Sequence, residues 1–439
     1  MKRISLIIGD LLVLYFALFL ALIIRYGSEF GKFAEQHLTP FSIIFIIWLI
    51  VFYVAGLYDP KRLRNNIEFL KTLLLAIAVN AILAMLFFYL VPYFGITPKT
   101  NLFVFLAIFT ILEIIWRRSF NRFTLSLQTK TKIALVGSGK AADEISEFIK
   151  ENPQLGYKLA IRLKSEISSF PFKTTDDWKK IVEENGVNLI VIPQNLKNEP
   201  HAAKIFYGLM ALNVEIVDIT SFYESIFKKI PLDEVGEEWF LDEIIGKERI
   251  YGGVKRIIET VLALVLFIVL LPVEIIVAVL VKLSSTGPAI YKQVRVGLNR
   301  KEFVIYKFRT MKVNEKHSWP GEDDKRITLV GKFLRRTHLD ELPQLLNIIK
   351  GDISFVGPRP DFVDFYKDLE RKIPHYSVRT LVRPGVTGWA QTNYPITASL
   401  EQTRERLAYD LYYIKNHSAA MDIAIIAKTI KVLFTAQGL

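Results

Sequence analysis

The chain contains no cysteine among its 439 residues. Disulfides, zinc thiolate sites and cysteine nucleophiles are therefore excluded. It also lacks a concentrated basic arm. Lys and Arg total 56 against 44 Asp and Glu, a formal charge of +12, yet the cations are spread along the sequence. Nucleic acid is thus a poor partner; the excess fits the positive-inside bias of a membrane protein, attraction to anionic lipid, or a polyphosphate substrate. No cleavable signal peptide is apparent, because the first apolar run ends in Ile23-Ile24-Arg25-Tyr26 without a small-residue pattern.

Apolar residues are abundant, at 51%. Long uncharged runs of Ile, Leu, Phe and Val place the chain among membrane proteins, and its length calls for two or three domains. Four segments read as membrane-spanning helices: roughly Ile4 to Ile24, Phe41 to Leu57, Phe69 to Phe94 and Leu102 to Trp116. Asp10 in the first is costly in hydrocarbon unless it faces the interior or the interface, and Glu113 marks the fourth. Lys2 and Arg3, then Lys61, Arg62 and Arg64, then Arg117, Arg118 and Arg122 lie on one side. The opposite loops carry Lys32 balanced by Glu29 and Glu35, and Lys99 alone. Both ends of this four-helix unit, residues 1–122, should face the cytoplasm.

From Lys132 the pattern becomes strand, glycine turn, helix, strand: Ile133 to Gly139, Ala141 to Lys150, Asn188 to Pro193 and Val214 to Val217. The alternation predicts a small Rossmann-like α/β domain with a parallel sheet over residues 131–246. Gly137-Ser138-Gly139-Lys140-Ala141-Ala142 holds only part of a dinucleotide fingerprint, and Leu159 to Lys164 supplies basic residues where a ribose-binding acid would stand. A structural or regulatory domain is the reading, with an NAD-dependent sugar-nucleotide modifier as the competitor.

Ile257 to Leu283 is almost continuously apolar, with Pro272 in its middle, and Lys255, Arg256, Lys282, Lys292 and Arg295 flank it. A spanning helix would send everything beyond it outside, against the charge bias. Pro272 removes a helix donor and favours a bend, so the expectation is a re-entrant helix–break–helix; a kinked span is the alternative. Beyond Ser284 no run of alternating strands appears, and a compact, mostly helical domain is expected. Ile414 to Phe434 reads as an interfacial helix or as ordinary core.

The chemistry concentrates in Arg335-Arg336-Thr337-His338-Leu339-Asp340-Glu341-Leu342-Pro343-Gln344. Neighbouring helical residues point about 100° apart, so Asp340 and Glu341 cannot both aim at one atom but can divide labour around one phosphate. With Pro343 in a first turn, Asp340 would be the N-cap of a helix through Ile348, a position that favours its ionised form. A plain capping aspartate with a solvated glutamate is the bland reading. Arg335, Arg336 and Arg359 favour an anion, since guanidinium forks match phosphate oxygens.

Further motifs follow in order: Gly287-Pro288, Arg295-Val296-Gly297, Tyr306-Lys307-Phe308-Arg309-Thr310-Met311, Lys350-Gly351-Asp352, Ser354-Phe355-Val356-Gly357-Pro358-Arg359-Pro360 and Arg383-Pro384-Gly385-Val386-Thr387-Gly388-Trp389-Ala390-Gln391. With Lys255-Arg256, Pro272 and the acid pair, residues 255–439 resemble the bacterial sugar transferases, the monotopic polyprenyl-phosphate phosphoglycosyl transferases. The front half resembles their long form. The resemblance implies transfer of a sugar-1-phosphate from a UDP-sugar to polyprenyl (undecaprenyl) phosphate. That would be the first membrane step of exopolysaccharide, capsule or O-antigen synthesis. It implies Asp340 as nucleophile, forming a sugar-phospho-aspartate, and Glu341 as a Mg²⁺ ligand. Arg359 would bind phosphate, with Arg335, Lys307 and Arg309 as helpers, and surface charge remains an equal reading for Lys307 and Arg309. Arg383 and Gln391 lie in the motif expected to bind substrate, and Pro272 matches the proline of the re-entrant break. Long-form relatives imply a homodimer in the bacterial inner membrane, with catalysis on the cytoplasmic face. His338 stands where the family often has a small hydroxyl residue, and Thr392-Asn393-Tyr394-Pro395 stands where many relatives carry an arginine. The histidine reads as tolerated variation, not a catalytic base; the loop is expected to touch the nucleotide or sugar, and its departure leaves the sugar open. The competing class is a non-catalytic membrane scaffold or regulator of polysaccharide export, in which the acid pair is structural.

Overall fold

A computed structural model describes residues 2–58, 67–90, 99–126, 130–164, 174–197, 199–209, 212–244, 249–312, 326–394 and 399–434. Lys61, Arg62, Arg64, Gly246 and Pro395 lie outside the described residues. The chain is mostly helical and divides into two compact units, Met1–Ile219 and Thr220–Leu439.

The first unit opens with α1 (Lys2–Tyr26), α2 (Phe30–Val54), α3 (Ile67–Leu90) and α4 (Lys99–Ser126). α1 packs against α2 and α4, and α3 against α2 and α4. The interior is aromatic: Phe41, Phe45, Trp48, Phe105 and Phe109 pack ring to ring. Ile8, Leu12, Ile46, Ile50, Leu75 and Ile82 face outward. Helices apolar on both faces suit hydrocarbon rather than water. Among the described residues, three stretches are long and apolar enough to cross a membrane: Ile4–Val54, which spans most of α1 and α2, Phe69–Leu90 and Tyr251–Ser284.

α4, which carries Glu113 and Arg117, is not among them. Both are fully buried, as is Asp10 on α1. Arg117 donates to Asp10, to Glu113 at 2.8 Å and to the Leu57 carbonyl at 2.8 Å, while Tyr58 and Trp116 donate to Asp10 at 2.7 and 3.0 Å. Asp10 therefore faces the interior, one of its two sequence readings. Gly9 permits this approach, since a Cβ there would lie 1.9 Å from the Trp116 ring.

The α/β part runs β1 (Thr131–Val136), α5 (Lys140–Glu151), β2 (Tyr157–Leu163), α6 (Thr175–Asn185), β3 (Leu189–Ile192), α7 (Gln194–Lys197), α8 (Pro200–Leu209) and β4 (Glu215–Asp218). The strands form one parallel sheet in the order β2-β1-β3-β4, with Ile133 opposite Leu189 and Leu189 opposite Glu215. β1 and β3 are buried along most of their length, which is why they read as unbroken apolar runs. At the end of β2, Arg162 pairs with Asp143 of α5. A basic residue thus ties helix to strand where a dinucleotide site would use an acid.

The second unit begins with α9 (Ile219–Phe227) and α10 (Glu237–Glu243). Residues 220–244 belong to this unit, although the sequence groups them with the α/β domain. Ile230, Trp239 and Phe240 share a core with Tyr366, Leu369, Tyr376, Leu411 and Ile414. α11 (Arg249–Ser284) follows. It is one helix with Pro272 inside, not the two helices with a break that the sequence predicts. Its apolar surface is largely exposed, from Ile257 to Ile276. One stripe packs inward: Ala263 against Leu345 and Ile348, then Val277 and Val281 against Phe308 and Leu334.

β5 (Ile290–Val296) and β6 (Glu302–Phe308) form an antiparallel hairpin closed through Asn299 at φ 52°. This corrects the expectation of no strand pairing here. Lys292, Gln293 and Arg295 interrupt the apolar alternation of β5, which hides its period. The remainder is α12 (Leu329–Thr337), α13 (Gln344–Lys350), β7 (Ser354–Val356), α14 (Val363–Lys372), β8 (Gly385–Thr387), α15 (Trp389–Asn393), α16 (Leu400–Asn416) and α17 (Ala419–Phe434). β7 and β8 pair in parallel, and a Cβ on Gly385 would lie 2.1 Å from the Gly357 nitrogen. The Gly-Pro-Arg-Pro and Arg-Pro-Gly turns are therefore pressed backbone to backbone.

Candidate active site

α12 ends at Thr337, and His338 takes the left-handed conformation at φ 55°. The chain then makes a short 3₁₀ turn, Leu339–Glu341, before Pro343 opens α13. Asp340 is thus not the N-cap of the following helix; the left-handed His338 places it inside a tighter turn. Leu339 and Leu342, three apart, pack with Val277, Val281, Phe308 and Leu334. That anchoring leaves Asp340 and Glu341 on the other side of the turn.

β6 supplies their counter-charge. Lys307 Nζ donates to Glu341 Oε1 at 2.5 Å. The strand is fixed to the turn by the fully buried Asn347, whose amide donates to the Val304 carbonyl at 2.7 Å and accepts from the Tyr306 N–H at 3.1 Å. Burial pushes Glu341 up, but Lys307, Arg359 and His338 outweigh it and hold the carboxyl below the ordinary glutamate value. Asp340 moves the other way. Burial, then the Glu341 charge, pushes it above the ordinary aspartate value against the pull of Lys307 and His338. The expected stabilisation of its ionised form by a helix end is therefore overturned. Two adjacent carboxyls are driven apart, one kept ionised and one made more basic, a pattern typical of divided roles.

Arg359 lies in the Gly357–Pro360 turn, and its charge acts on Glu341. A buried network beneath holds that turn. Arg379 donates to Asp361, to Tyr376 Oη at 2.5 Å, to Asp410 at 2.9 Å and to the Arg359 carbonyl at 2.9 Å. Tyr376 donates to Asp361 at 2.7 Å. Sequence reasoning assigned no role to Arg379, Asp361, Tyr376, Asp410 or Asn347. The only signals were the arginine four positions before Arg383 and the acid directly after Pro360.

The other candidates divide. Arg335 Nε donates to Thr310 Oγ1 at 3.0 Å. Arg309 is buried, giving its guanidinium to the carbonyls of Pro288 and Ser285, the latter at 2.7 Å. Arg383 Nε donates to the Gly351 carbonyl at 3.2 Å, and Gln391 donates to the Val386 carbonyl at 3.2 Å while its Oε1 is buried without a partner. Lys307, Asp340, Glu341 and Arg359 thus come together electrostatically; Arg309 serves the backbone. No group of three or more His, Asp or Glu among the described residues could hold a metal by itself. Mg²⁺ binds through one or two carboxylates completed by substrate phosphates and water, and the ionised Glu341, with only Oε1 engaged by Lys307, fits that partial role.

The family model described as bacterial sugar transferase matches residues 250–436. The UDP-glucose:undecaprenyl-phosphate glucose-1-phosphate transferase of Klebsiella pneumoniae is 28% identical over 433 residues, covering 93% of this chain and 92% of that protein. The enzyme of the same description from Escherichia coli is 31% identical over 317 residues, 69% of this chain and 67% of that one. The UDP-N-acetylgalactosamine-undecaprenyl-phosphate N-acetylgalactosaminephosphotransferase of Aeromonas hydrophila is 37% identical over 229 residues, 52% of this chain and 54% of its own length. The Klebsiella alignment takes in the front half as well, and the acid-pair turn, the hairpin and the Gly-Pro-Arg-Pro turn all fall within the matched segment: the chain belongs to the bacterial sugar transferase family.

Proposed function

We propose that this protein transfers a sugar-1-phosphate from a UDP-sugar to a polyprenyl phosphate, giving polyprenyl-diphosphate-sugar and UMP. The observation that carries the reading is the split of the acid pair. Glu341 is held ionised by Lys307 and Arg359, while Asp340 has no ion pair among the described residues and is made more basic by burial. A desolvated, more basic carboxylate is the better nucleophile. An Asp340 oxygen attacks the phosphorus bearing the sugar, the bond to the UMP oxygen breaks, and UMP departs with its electron pair. A phosphate oxygen of the polyprenyl phosphate then attacks the same phosphorus and expels the Asp340 carboxylate. Arg359 offers its guanidinium to the phosphate oxygens. Glu341, together with the substrate diphosphate, would hold Mg²⁺, which would supply charge neutralisation for the leaving UMP.

The setting we infer is the cytoplasmic face of a bacterial inner membrane, with α1 to α4 as a membrane bundle and α11 kinked at Pro272, without a break in the helix, so that it enters and leaves on one side. The anchoring of α11 supports this. Near its start Arg256 donates to the Ile349 carbonyl at 2.8 Å; just past its end the Ser285 carbonyl accepts from Arg309 at 2.7 Å. Both ends are gripped by the same compact unit, whereas a spanning helix would part them by the ~30 Å of hydrocarbon. Periplasmic labelling of a cysteine introduced near residue 320 in intact cells would overturn this topology.

A panel of UDP-sugars with membranes tests the reaction and assigns the sugar: UMP release and label extractable into organic solvent are expected for the correct donor. Failure to find a phospho-sugar adduct on Asp340 by mass spectrometry, with donor present and lipid acceptor withheld, removes the covalent step.

A further inference from the structure

The hairpin offers the site a second cation that the reaction scheme has not used. Tyr291 pairs with Lys307, Gln293 with Ile305 and Arg295 with Phe303, so Arg295 and Lys307 share one face. Lys307 is neutralised by Glu341; Arg295 has no carboxylate partner among the described residues. Its guanidinium stacks 3.5 Å from the Phe362 ring centroid, donates to the Pro360 carbonyl at 3.0 Å and to Gln293 Oε1 at 2.9 Å, and keeps Nε buried without a partner among the described residues. Two of its five N–H donors are thus used. Val296 N–H donates to the Asp361 carbonyl at 3.0 Å, so the end of β5 is joined to the turn that carries Arg359.

Burial and the adjacent Arg359 push Arg295 down to about 10. Such a loss of basicity shows a guanidinium short of negative charge. Asp361, whose charge also reaches Arg295, is taken by Arg379. Glu341 is the shared acid of this group: its charge acts on Arg295 and on Arg359, and it contacts Lys307 directly.

We propose that Arg295 is a phosphate-binding residue of this site, the second arm of a two-arginine clamp with Arg359, held flat on Phe362 and aimed by the Pro360 carbonyl. The proposal rests on the transferase reading. The phosphate could belong to the nucleotide donor or to the lipid acceptor, and the test separates them. Full-length protein in lipid nanodiscs is titrated with uridine diphosphate and, separately, with a short-chain polyprenyl phosphate, for wild type, Arg295→Gln and Arg295→Lys. Arg295→Gln is expected to weaken one ligand by at least about tenfold and Arg295→Lys by about threefold, since charge survives there but the planar fork does not. The ligand that moves identifies the source. Equal weakening of both at an unchanged thermal midpoint assigns Arg295 to a subsite that both phosphates visit in turn. Equal weakening with a lowered midpoint marks a structural role and overturns the proposal, as do affinities within twofold of wild type in both variants. If Arg295→Gln does not fold, unchanged affinity for both ligands in Arg295→Lys overturns it alone. Wild-type UMP release is run alongside: its absence with every donor overturns the proposed reaction, while the titrations still decide Arg295.

Discussion

Lys307 on the hairpin holds Glu341, the residue after the candidate nucleophile, through a 2.5 Å contact. Replacing it with methionine removes the first of the charges that oppose burial at Glu341 and leaves Arg359 and His338. In the wild type the folded value of Glu341 is below the unfolded one, so its contribution to stability is present above the ordinary glutamate range and is lost as pH falls through the lower folded value. In Lys307→Met that folded value should rise and the contribution shrink. The acidic limb of the pH–rate profile should move to higher pH, with a loss of about tenfold or more in kcat at neutral pH.

Asp340→Asn should lower UMP release by about a thousandfold or more while the protein still inserts. Its folded value is raised, so the ionised carboxyl costs stability above the unfolded value, and that cost disappears as pH falls below the unfolded value. The neutral amide should therefore raise the thermal midpoint at pH 7. Full activity in this variant would remove the mechanism.

Arg309→Met is expected to lower the thermal midpoint and leave the KM for the UDP-sugar within about twofold. Its guanidinium is committed to the carbonyls of Pro288 and Ser285, and a buried acceptor left unsatisfied costs about 1–3 kcal/mol. A large KM effect at unchanged stability would return Arg309 to the phosphate site.

Arg379→Met strands Asp361 and Asp410 without their partner. Loss of one member of a buried ion pair costs roughly 3–5 kcal/mol, so denaturant unfolding of the detergent-solubilised protein should show a shift of that order. Arg379→Lys should recover part of it, because one ammonium cannot reach Asp361, Asp410 and the Arg359 carbonyl together.

The apolar runs announced the long helices because burial or lipid demands them on every face. The parallel sheet was equally plain, from β1 and β3 as unbroken apolar segments. The acid pair stood out by charge alone. Its backbone did not: the left-handed His338 turns an expected helix start into a 3₁₀ turn, and histidine's enrichment in that conformation is too weak to announce it from sequence. The hairpin was masked by polar residues on both faces of β5. Arg309 misled because an arginine pattern does not reveal whether carbonyls or phosphates await it. The Arg379 network joins residues as far apart as Asp361 and Asp410, a meeting that only tertiary packing creates.

The Arg117–Asp10 contact links residues 107 apart in sequence. α1, the earlier of the two helices in the chain, carries the acid that pairs with the arginine of α4. In the proposed membrane bundle α4 by itself would offer lipid two charged groups in its middle, so its insertion is expected to depend on α1. A chain that loses Asp10 should then be faulty in membrane integration, far from the chemistry it ultimately silences.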